Sequence, residues 1–260
     1  MRVLKVIGIG PGDPRQITVE AVEALQDVEV FFALDKEARS GSSQVNQSLV
    51  GARREICRRY IGHDNWRFVE IDDPPRSAHP PDYAAEVVRW HQARADRLEQ
   101  ALLAEIAESG IAAVLVWGDP ALYDSTLRVT SEIRRRGVVE LAVEVIPGVT
   151  SASALTAAHQ ILANRIGEPI HITTGRRLAD TPAGAAGNQI VMLDADCAFR
   201  HTAAPTDHIW WGAYLGTPDQ ILIEGTVADV GERIVQTRAA ARQRHGWIMD
   251  IYLLRTRELP

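Results

Sequence analysis

Residues 3–14 read VLKVIGIGPGDP, and this stretch decides the fold. Its first part, 3–9, is an apolar run typical of a buried strand, and the glycines and prolines after it force a tight loop. A helical pattern follows over 18–25, and a second apolar run over 28–34. A strand, a loop, a helix and another strand in this order are typical of a parallel sheet with crossover helices. The sequence therefore predicts the α/β class.

Strand and helix patterns continue along the rest of the chain. Apolar runs predict strands at 66–71, 111–117, 141–146, 170–174, 189–193, 208–215, 220–225 and 247–254, and helical patterns predict helices at 44–60, 83–109, 125–136, 150–162 and 229–242. Gly110 and Gly137 are each expected to end the helix before them. We expect two α/β domains, an N-terminal one at 1–147 and a C-terminal one at 148–260.

The composition bounds the functions that the chain can have. Of its 260 residues 46% are apolar, which excludes a disordered chain, and a net charge of −6 lacks the positive field of a non-specific nucleic-acid binder. Cys57 and Cys197 stand far apart without metal-ligand spacing, so neither a disulfide framework nor a zinc site is predicted. The first strand follows Arg2 directly, and no apolar run is as long as a membrane span. We therefore expect a cytoplasmic protein with no nucleic-acid or membrane partner.

Four glycine-containing loops follow predicted strands or strand ends. They read GIGPGDP at 8–14, WGDPALY at 117–123, VIPGVTSASA at 145–154 and YLGTPDQ at 214–220. Ligands of open α/β sheets bind beyond the carboxyl ends of strands, where glycine lets the backbone come close. A dinucleotide fingerprint would need a third glycine where Asp13 stands, and Pro11 lacks an amide, so NAD binding is disfavoured.

Polar side chains in these loops have two interpretations each. Asp119 can accept hydrogen bonds from a ligand, or it can cap the next helix. Thr150 and Ser151 precede a helix of small residues and can either cap it or contact a ligand. Metal catalysis is not predicted, because His201 and His208 lack a third ligand nearby.

Taken together, the segments GIGPGDP, GDPALY, PGVTSASA and GTPDQ resemble the tetrapyrrole methylases, which are S-adenosylmethionine-dependent methyltransferases. The resemblance covers nearly the whole chain. It implies two α/β domains with the cofactor cleft between them, a substrate trough in the N-terminal domain, a homodimer and no metal. By position, the residues that it assigns to S-adenosylmethionine are Pro11, Gly118, Asp119, Leu122, Thr150, Ser151, Met192 and Gly216.

Three further segments indicate one corrin-forming subgroup of the family. They read FFALDK at 31–36, RREIC at 53–57 and QIVMLD at 189–194. For this subgroup the resemblance implies methyl transfer to a ring carbon of a tetrapyrrole, together with loss of an acetyl group as acetate. Acetate loss needs a general base, and our candidates for catalytic residues are Asp35, Lys36 and Tyr123. The structural alternatives are that Asp35 and Lys36 form a solvated turn and that the Tyr123 ring only packs against its neighbours.

Arginines could bind the carboxylate side chains of such a substrate. Arg176 and Arg177 follow the strand predicted at 170–174 and are our candidates for this role. The run Arg53, Arg54, Arg58 and Arg59 is the second possibility, although an exposed helix face explains it better. Two rival functions stay open, namely a methylase of the same fold with a different substrate and a non-catalytic protein that only binds the nucleoside.

Overall fold

The computed structural model describes residues 1–35, 46–77, 81–181 and 187–256. The chain divides into two compact units. The first unit consists of Met1–Gly10 and Pro14–Val149, and the second of Pro11–Asp13 and Thr150–Pro260. The short segment Pro11–Asp13 thus belongs with the second unit although it lies within the first loop of the chain.

The first unit is a five-stranded sheet with helices between its strands. Its strands are β1 (Arg2–Gly8), β2 (Val30–Asp35), β3 (Arg67–Asp72), β4 (Ile111–Val116) and β5 (Leu141–Ile146), and its helices are α1 (Val19–Leu25), α2 (Asn46–Tyr60), α3 (Tyr83–Glu105) and α4 (Thr126–Arg136). The strand order is β3-β2-β4-β1-β5, and every pairing is parallel. The predicted parallel sheet with crossover helices is therefore confirmed.

Strand β1 lies between β4 and β5 and is buried on both faces. Leu4 and Val6 point into the core cluster that contains residues of α3 and α4, while Ile7 points into the one that contains residues of α1 and α2. This alternation follows from the two-residue period of a strand. Lys5, which is 7% exposed, donates to the Ala24 carbonyl at the end of α1 at 3.2 Å and pairs with Asp27.

The second unit is a mixed sheet in the order β6-β7-β10-β8-β9. Its strands are β6 (His171–Thr174), β7 (Asn188–Met192), β8 (His208–Ala213), β9 (Ile221–Thr226) and β10 (Asp250–Arg255), and its helices are α5 (Ser151–His159), α6 (Phe199–Thr202) and α7 (Val227–His245). Strand β10 is antiparallel to both β7 and β8, and β6 is parallel to β7. The carboxyl ends of β6, β7 and β8 therefore lie at one edge of the sheet.

The predicted end of α3 is wrong. The helix ends at Glu105 rather than near 109, and Ile106 turns to φ −122° and ψ 130°, with its side chain 3% exposed. Gly110 is absent from the glycines with positive φ, so it is not a left-handed cap. A Cβ atom on Gly110 would lie 2.7 Å from Cγ2 of Ile106, which shows that glycine is needed there for close packing. Gly137, by contrast, ends α4 at φ 68° as predicted.

Both thiols are expected to resist modification in the folded protein. Burial raises the pKa of the Cys57 thiol to about 12 and that of Cys197 to about 11. At pH 8 a pKa of about 12 leaves roughly one thiolate in ten thousand, against about a quarter for an ordinary cysteine. A disulfide reagent should therefore titrate two thiols in denaturant and almost none in the native chain at pH 8. Fast reaction of Cys57 in the native chain would contradict its place in the core.

Candidate functional site

Three loops of the first unit meet backbone to backbone at the carboxyl edge of the sheet. Gly8 ends β1, Gly118 follows β4, and Gly148 follows β5. A Cβ atom on Gly148 would lie 2.2 Å from the Gly118 carbonyl oxygen, and one on Gly8 would lie 2.6 Å from the Gly148 nitrogen. Gly10, at φ 80°, and Gly118, at φ 72°, also form an isolated antiparallel bridge. We name Gly8, Gly118 and Gly148 the glycine junction.

The Asp119 side chain stabilises the glycine junction through two hydrogen bonds. Its Oδ2 accepts from the Gly148 backbone N–H at 2.9 Å, and its Oδ1 accepts from the Ala121 N–H at 2.8 Å. The alternative that Asp119 caps α4 is wrong, because Asp124 instead accepts from the N–H of Thr126, the first residue of that helix, at 2.6 Å. An ionised carboxylate has about four acceptor positions. The two bonds therefore fix its orientation and leave acceptor capacity for a ligand.

Asp119→Ala should loosen two loops at once. It removes the acceptor of the partly buried Gly148 N–H, so we expect the free energy of unfolding to fall by about 1–3 kcal/mol. Asp119→Asn keeps one side-chain oxygen that can accept this bond. Its free energy of unfolding should therefore lie between those of the unaltered chain and Asp119→Ala. Urea titration of the three proteins measures this. Equal stability of all three would show that the bond to Gly148 contributes nothing.

Leu122 and Tyr123 follow this turn. The Leu122 N–H donates to the Asp119 carbonyl at 3.2 Å, and Tyr123 has φ 55° with 44% of its surface exposed. A left-handed conformation in a bulky residue stores strain, which is most frequent at functional sites. Partial burial raises the pKa of the Tyr123 phenol, which therefore stays protonated at neutral pH. Tyr123 is thus suited to donate a hydrogen bond rather than to act as a general base.

The other two catalytic candidates, Asp35 and Lys36, stand in sequence at the end of β2 and directly after it. Asp35 is the last residue of β2 and pairs in register with Asp72, but its side chain and all of Lys36 lie outside the described residues. Strand β2 pairs with β4 only as far as Phe32 and Val114. Beyond that point the Leu115 carbonyl accepts from Arg53 Nε at 3.0 Å.

The arginine run of α2 has structural partners. Besides the bond of Arg53, Arg54 forms an ion pair of 2.7 Å with Glu70 and lies 4.6 Å over the Phe68 ring. Arg58 and Arg59 are exposed in the last turn of the helix. These contacts favour the structural alternative for this run over substrate binding.

In the second unit, the segment Pro11–Asp13 packs against the turn after β8. A Cβ atom on Gly12 would lie 2.1 Å from the Leu215 carbonyl oxygen, and Pro11 is buried. The turn is left-handed at two positions, Tyr214 at φ 50° and Gly216 at φ 76°. The Gly216 N–H donates to Gln220 Oε1 at 2.9 Å. Gly12 is therefore needed for this close approach, and Gly216 for the left-handed turn.

Thr150 caps α5, as the structural alternative proposed. Its Oγ1 accepts from the Ser153 N–H at 3.1 Å and lies 3.0 Å from the Ser153 hydroxyl. Ser151 is the first residue of the helix and is half-buried. A helix start with backbone N–H groups directed outward favours an anionic group, so capping by Thr150 is compatible with a ligand at Ser151.

The carboxyl ends of β6 and β7 bring together the other candidates. Met192 ends β7 half-buried, and Leu193 beside it is strained at φ 52° and 67% exposed. Arg176 and Arg177 lie exposed in a 3₁₀ helix directly after β6, where Arg177 pairs with Asp180 at 3.1 Å. Leu193 was missed at the sequence level, because leucine gives no signal for a left-handed position.

Asp194 is structural. It is 5% exposed and accepts from the Tyr252 hydroxyl and from the Ala198 N–H, both at 2.7 Å. A Cβ atom on Gly175 would lie 2.2 Å from Asp194 Oδ1. These contacts tie the ends of β6, β7 and β10 together and hold the exposed loops of this edge in place.

Comparison with known proteins decides the family. The sequence profile of the Tetrapyrrole (Corrin/Porphyrin) Methylases matches residues 3–231. This chain belongs to the tetrapyrrole methylase family. The family assignment and the two-unit α/β fold that the four loops predicted are thereby confirmed.

Individual relatives show which members of the family this tetrapyrrole methylase is similar to. It is 46% identical over 255 residues to the Precorrin-6A synthase [deacetylating] of a Sinorhizobium species, with 98% of this chain and 95% of the relative covered. A solved structure of a cobalamin synthesis related protein (CobF) from Corynebacterium diphtheriae is 39% identical with a TM-score of 0.82, and 98% of each chain is covered. Uroporphyrin-III C-methyl transferase from Thermus thermophilus, solved with S-adenyl homocysteine, shares the fold at 14% identity, 96% coverage of each chain and a TM-score of 0.54.

The part of this tetrapyrrole methylase that the structure describes contains neither a membrane-spanning helix nor a cluster of metal ligands. Within 1–35, 46–77, 81–181 and 187–256, no helix is both long and apolar enough to cross a membrane. In the same ranges, no three His, Cys, Asp or Glu side chains come together in a way that could hold a metal ion.

Proposed function

We propose that this chain is a precorrin-6A synthase (deacetylating), an S-adenosylmethionine-dependent C-methyltransferase of cobalamin biosynthesis. It methylates C-1 of precorrin-5 and removes the acetyl group there as acetate. The observation that carries the proposal is the 46% identity, over 98% of this chain, to the relative of that name. The segments FFALDK, RREIC and QIVMLD had indicated the same subgroup.

We propose that S-adenosylmethionine is held by the residues that the family resemblance assigns to it. In the first unit these are Gly118, Asp119 and Leu122. In the second unit they are Pro11, Thr150, Ser151, Met192 and Gly216. The support is that each group lies in loops fixed by close glycine packing or by side-chain bonds to backbone. The spare acceptor positions of Asp119 suit amino or hydroxyl groups of the nucleoside.

The cofactor supplies a methyl group on a positively charged sulphur. In the net reaction its carbon–sulphur bond would break, and the methyl group would form a bond to the ring carbon. Water adds to the acetyl carbonyl, the bond from that carbonyl to the ring carbon breaks, and acetic acid and one proton leave. The electron pair of the broken bond balances the new bond to methyl, so no oxidant is required.

The protein's task in such a reaction is mostly positioning and exclusion of water from the sulphonium. Rigid loops at the glycine junction serve that purpose. Tyr123, whose phenol stays protonated, is proposed to donate to the acetyl oxygen, where charge develops as water adds. Asp35 and Lys36 stay candidates for the base. Arg176 and Arg177 stay candidates for substrate carboxylates.

Calorimetry and mass spectrometry test the proposal separately. The purified chain should release or absorb heat with S-adenosylhomocysteine and show saturable binding. With precorrin-5 and S-adenosylmethionine, the product should have gained a methyl group and lost an acetyl group. Methyl gain alone would instead identify another methylase of this fold, and binding without any turnover would identify a nucleoside-binding protein.

The family resemblance also leads us to propose a homodimer that works in the cytoplasm on a tetrapyrrole substrate. Light scattering of the purified chain should give twice the chain mass of 28.6 kDa. A monomer mass at assay concentrations would contradict the dimer.

A further inference from the structure

Asp73 and Arg94 form a buried ion pair beyond the end of β3. Arg94 donates from Nε and Nη2 to the two carboxylate oxygens of Asp73, each at 2.6 Å, and from Nη1 to Ser125 Oγ at 2.6 Å. The Asp73 side chain is 1% exposed. The pair neutralises itself and ties the loop after β3 to the start of α4.

Two further arginines, Arg76 and Arg128, form no ion pair with any described carboxylate. Among the described residues, no carboxylate lies within ion-pair distance of Arg76 or Arg128. Acids near them in sequence are engaged elsewhere. Asp73 pairs with Arg94, and Asp72 pairs with Arg97. Glu132 pairs with Arg135 and Arg136, and Asp124 accepts from the Thr126 N–H.

Arg76 is held in place rather than free in solvent. Its guanidinium lies 5.0 Å over the Tyr83 ring and 5.4 Å over the Trp90 ring, and it donates to the Tyr83 hydroxyl at 2.5 Å. Arg94 lies over the same Trp90 ring at 3.8 Å. Rings that hold a guanidinium in this way keep its forked donors oriented.

The imidazole of His91 lies in the positive field of three arginines. Its ring lies 5.2 Å from that of Trp90. Burial lowers the pKa of its imidazole, and the charges of Arg128, Arg94 and Arg76 lower it further. None of the described carboxylates counters this lowering of the His91 pKa. A chain with 34 acidic and 28 basic side chains thus gathers an unbalanced positive group here.

The group lies at the edge where a ligand of this sheet would bind. Arg76 follows β3, and Arg128 lies in the first turn of α4, which follows β4. Strands β2, β3 and β4 run parallel, so their carboxyl ends share the edge that holds the glycine junction. Mutual repulsion of these cations is unfavourable in the free protein and is relieved when an anion binds.

We propose that Arg76, His91 and Arg128, arranged around Trp90, bind carboxylate side chains of the tetrapyrrole substrate. This inference rests on the proposed function, which supplies a flat macrocycle with acetate and propionate groups. Forked guanidinium donors match a carboxylate, and the Trp90 ring offers a contact for the edge of the macrocycle. Arg94 holds the surface together and contributes no unbalanced charge.

The test compares two glutamine substitutions on one helix. Arg128→Gln removes a proposed contact, and Arg134→Gln removes an equally exposed arginine in the last turn of α4 that also has no described ion pair. The probe is uroporphyrin, a fluorescent tetrapyrrole with carboxylates on every ring, followed by fluorescence polarisation. We expect Arg128→Gln and Arg76→Gln to weaken binding about tenfold each, and Arg134→Gln less than about twofold.

S-adenosylhomocysteine affinity, measured by calorimetry, should be unchanged in all three variants. Turnover with precorrin-5 should show KM raised about tenfold in Arg128→Gln at nearly constant kcat. Equal porphyrin affinity of Arg128→Gln and Arg134→Gln, or no porphyrin binding by the unaltered chain, would overturn this inference. If the unaltered chain did not bind S-adenosylhomocysteine, that result would contradict the proposed function rather than this inference.

Discussion

Gly148→Ala is expected to lower the free energy of unfolding by more than about 3 kcal/mol and to remove most soluble protein. The added Cβ would lie 2.2 Å from the Gly118 carbonyl oxygen and 2.8 Å from the Gly8 carbonyl carbon. Both obstacles are backbone atoms at the ends of central strands, so no side-chain rotation relieves the overlap. One methyl group therefore forces three loops apart. Urea titration, or soluble yield where folding fails, measures the effect.

Gly51→Ala is the matched control. Gly51 lies inside α2 with nothing within 4 Å of an added Cβ. Alanine loses less backbone entropy on folding than glycine, so this variant should gain about 0.5–1 kcal/mol. If Gly148→Ala unfolded at the same urea concentration as the unaltered chain, the glycine junction would not be as close as described.

Asp73→Ala should destabilise the first unit by about 3–5 kcal/mol. Its partner Arg94 is only 15% exposed in its side chain and would keep a partly buried charge without a counter-ion. The change also removes the two hydrogen bonds by which Arg94 of α3 holds the loop after β3. Thermal unfolding measures the loss.

An exposed pair provides the control for Asp73→Ala. Asp96 pairs with Arg136, but 56% of its side chain is exposed, so Asp96→Ala should change stability by no more than about 1 kcal/mol. Similar losses in Asp73→Ala and Asp96→Ala would show that burial of Asp73 adds nothing to its pairing with Arg94.

Local sequence signals predicted the features that depend on neighbouring residues. Continuous apolar runs fixed the strands, because a central parallel strand is buried on both faces. Glycine at positions 10, 118 and 216 predicted tight turns, and all three adopt positive φ. Four such loops in one order were specific enough to identify the family.

Features that depend on residues distant in sequence could not be predicted. For Asp119 the sequence offered a ligand contact or a helix cap, but not its bond to the Gly148 N–H, which lies 29 residues away. The group of Arg76, His91 and Arg128 comes from a loop and two helices, with no pattern in sequence to connect them. The early end of α3 reflects burial of Ile106, a tertiary preference that overrides helix propensity.

The central claim is tested most directly by measuring methyl transfer and acetate release together. The purified chain is given precorrin-5 and S-adenosylmethionine labelled in its methyl group, and the labelled methyl in the product and the free acetate are counted in the same sample. A deacetylating methyltransferase should release one acetate for each methyl transferred, at every time point. Methylated product without acetate, or acetate released in the absence of S-adenosylmethionine at the full rate, would contradict it.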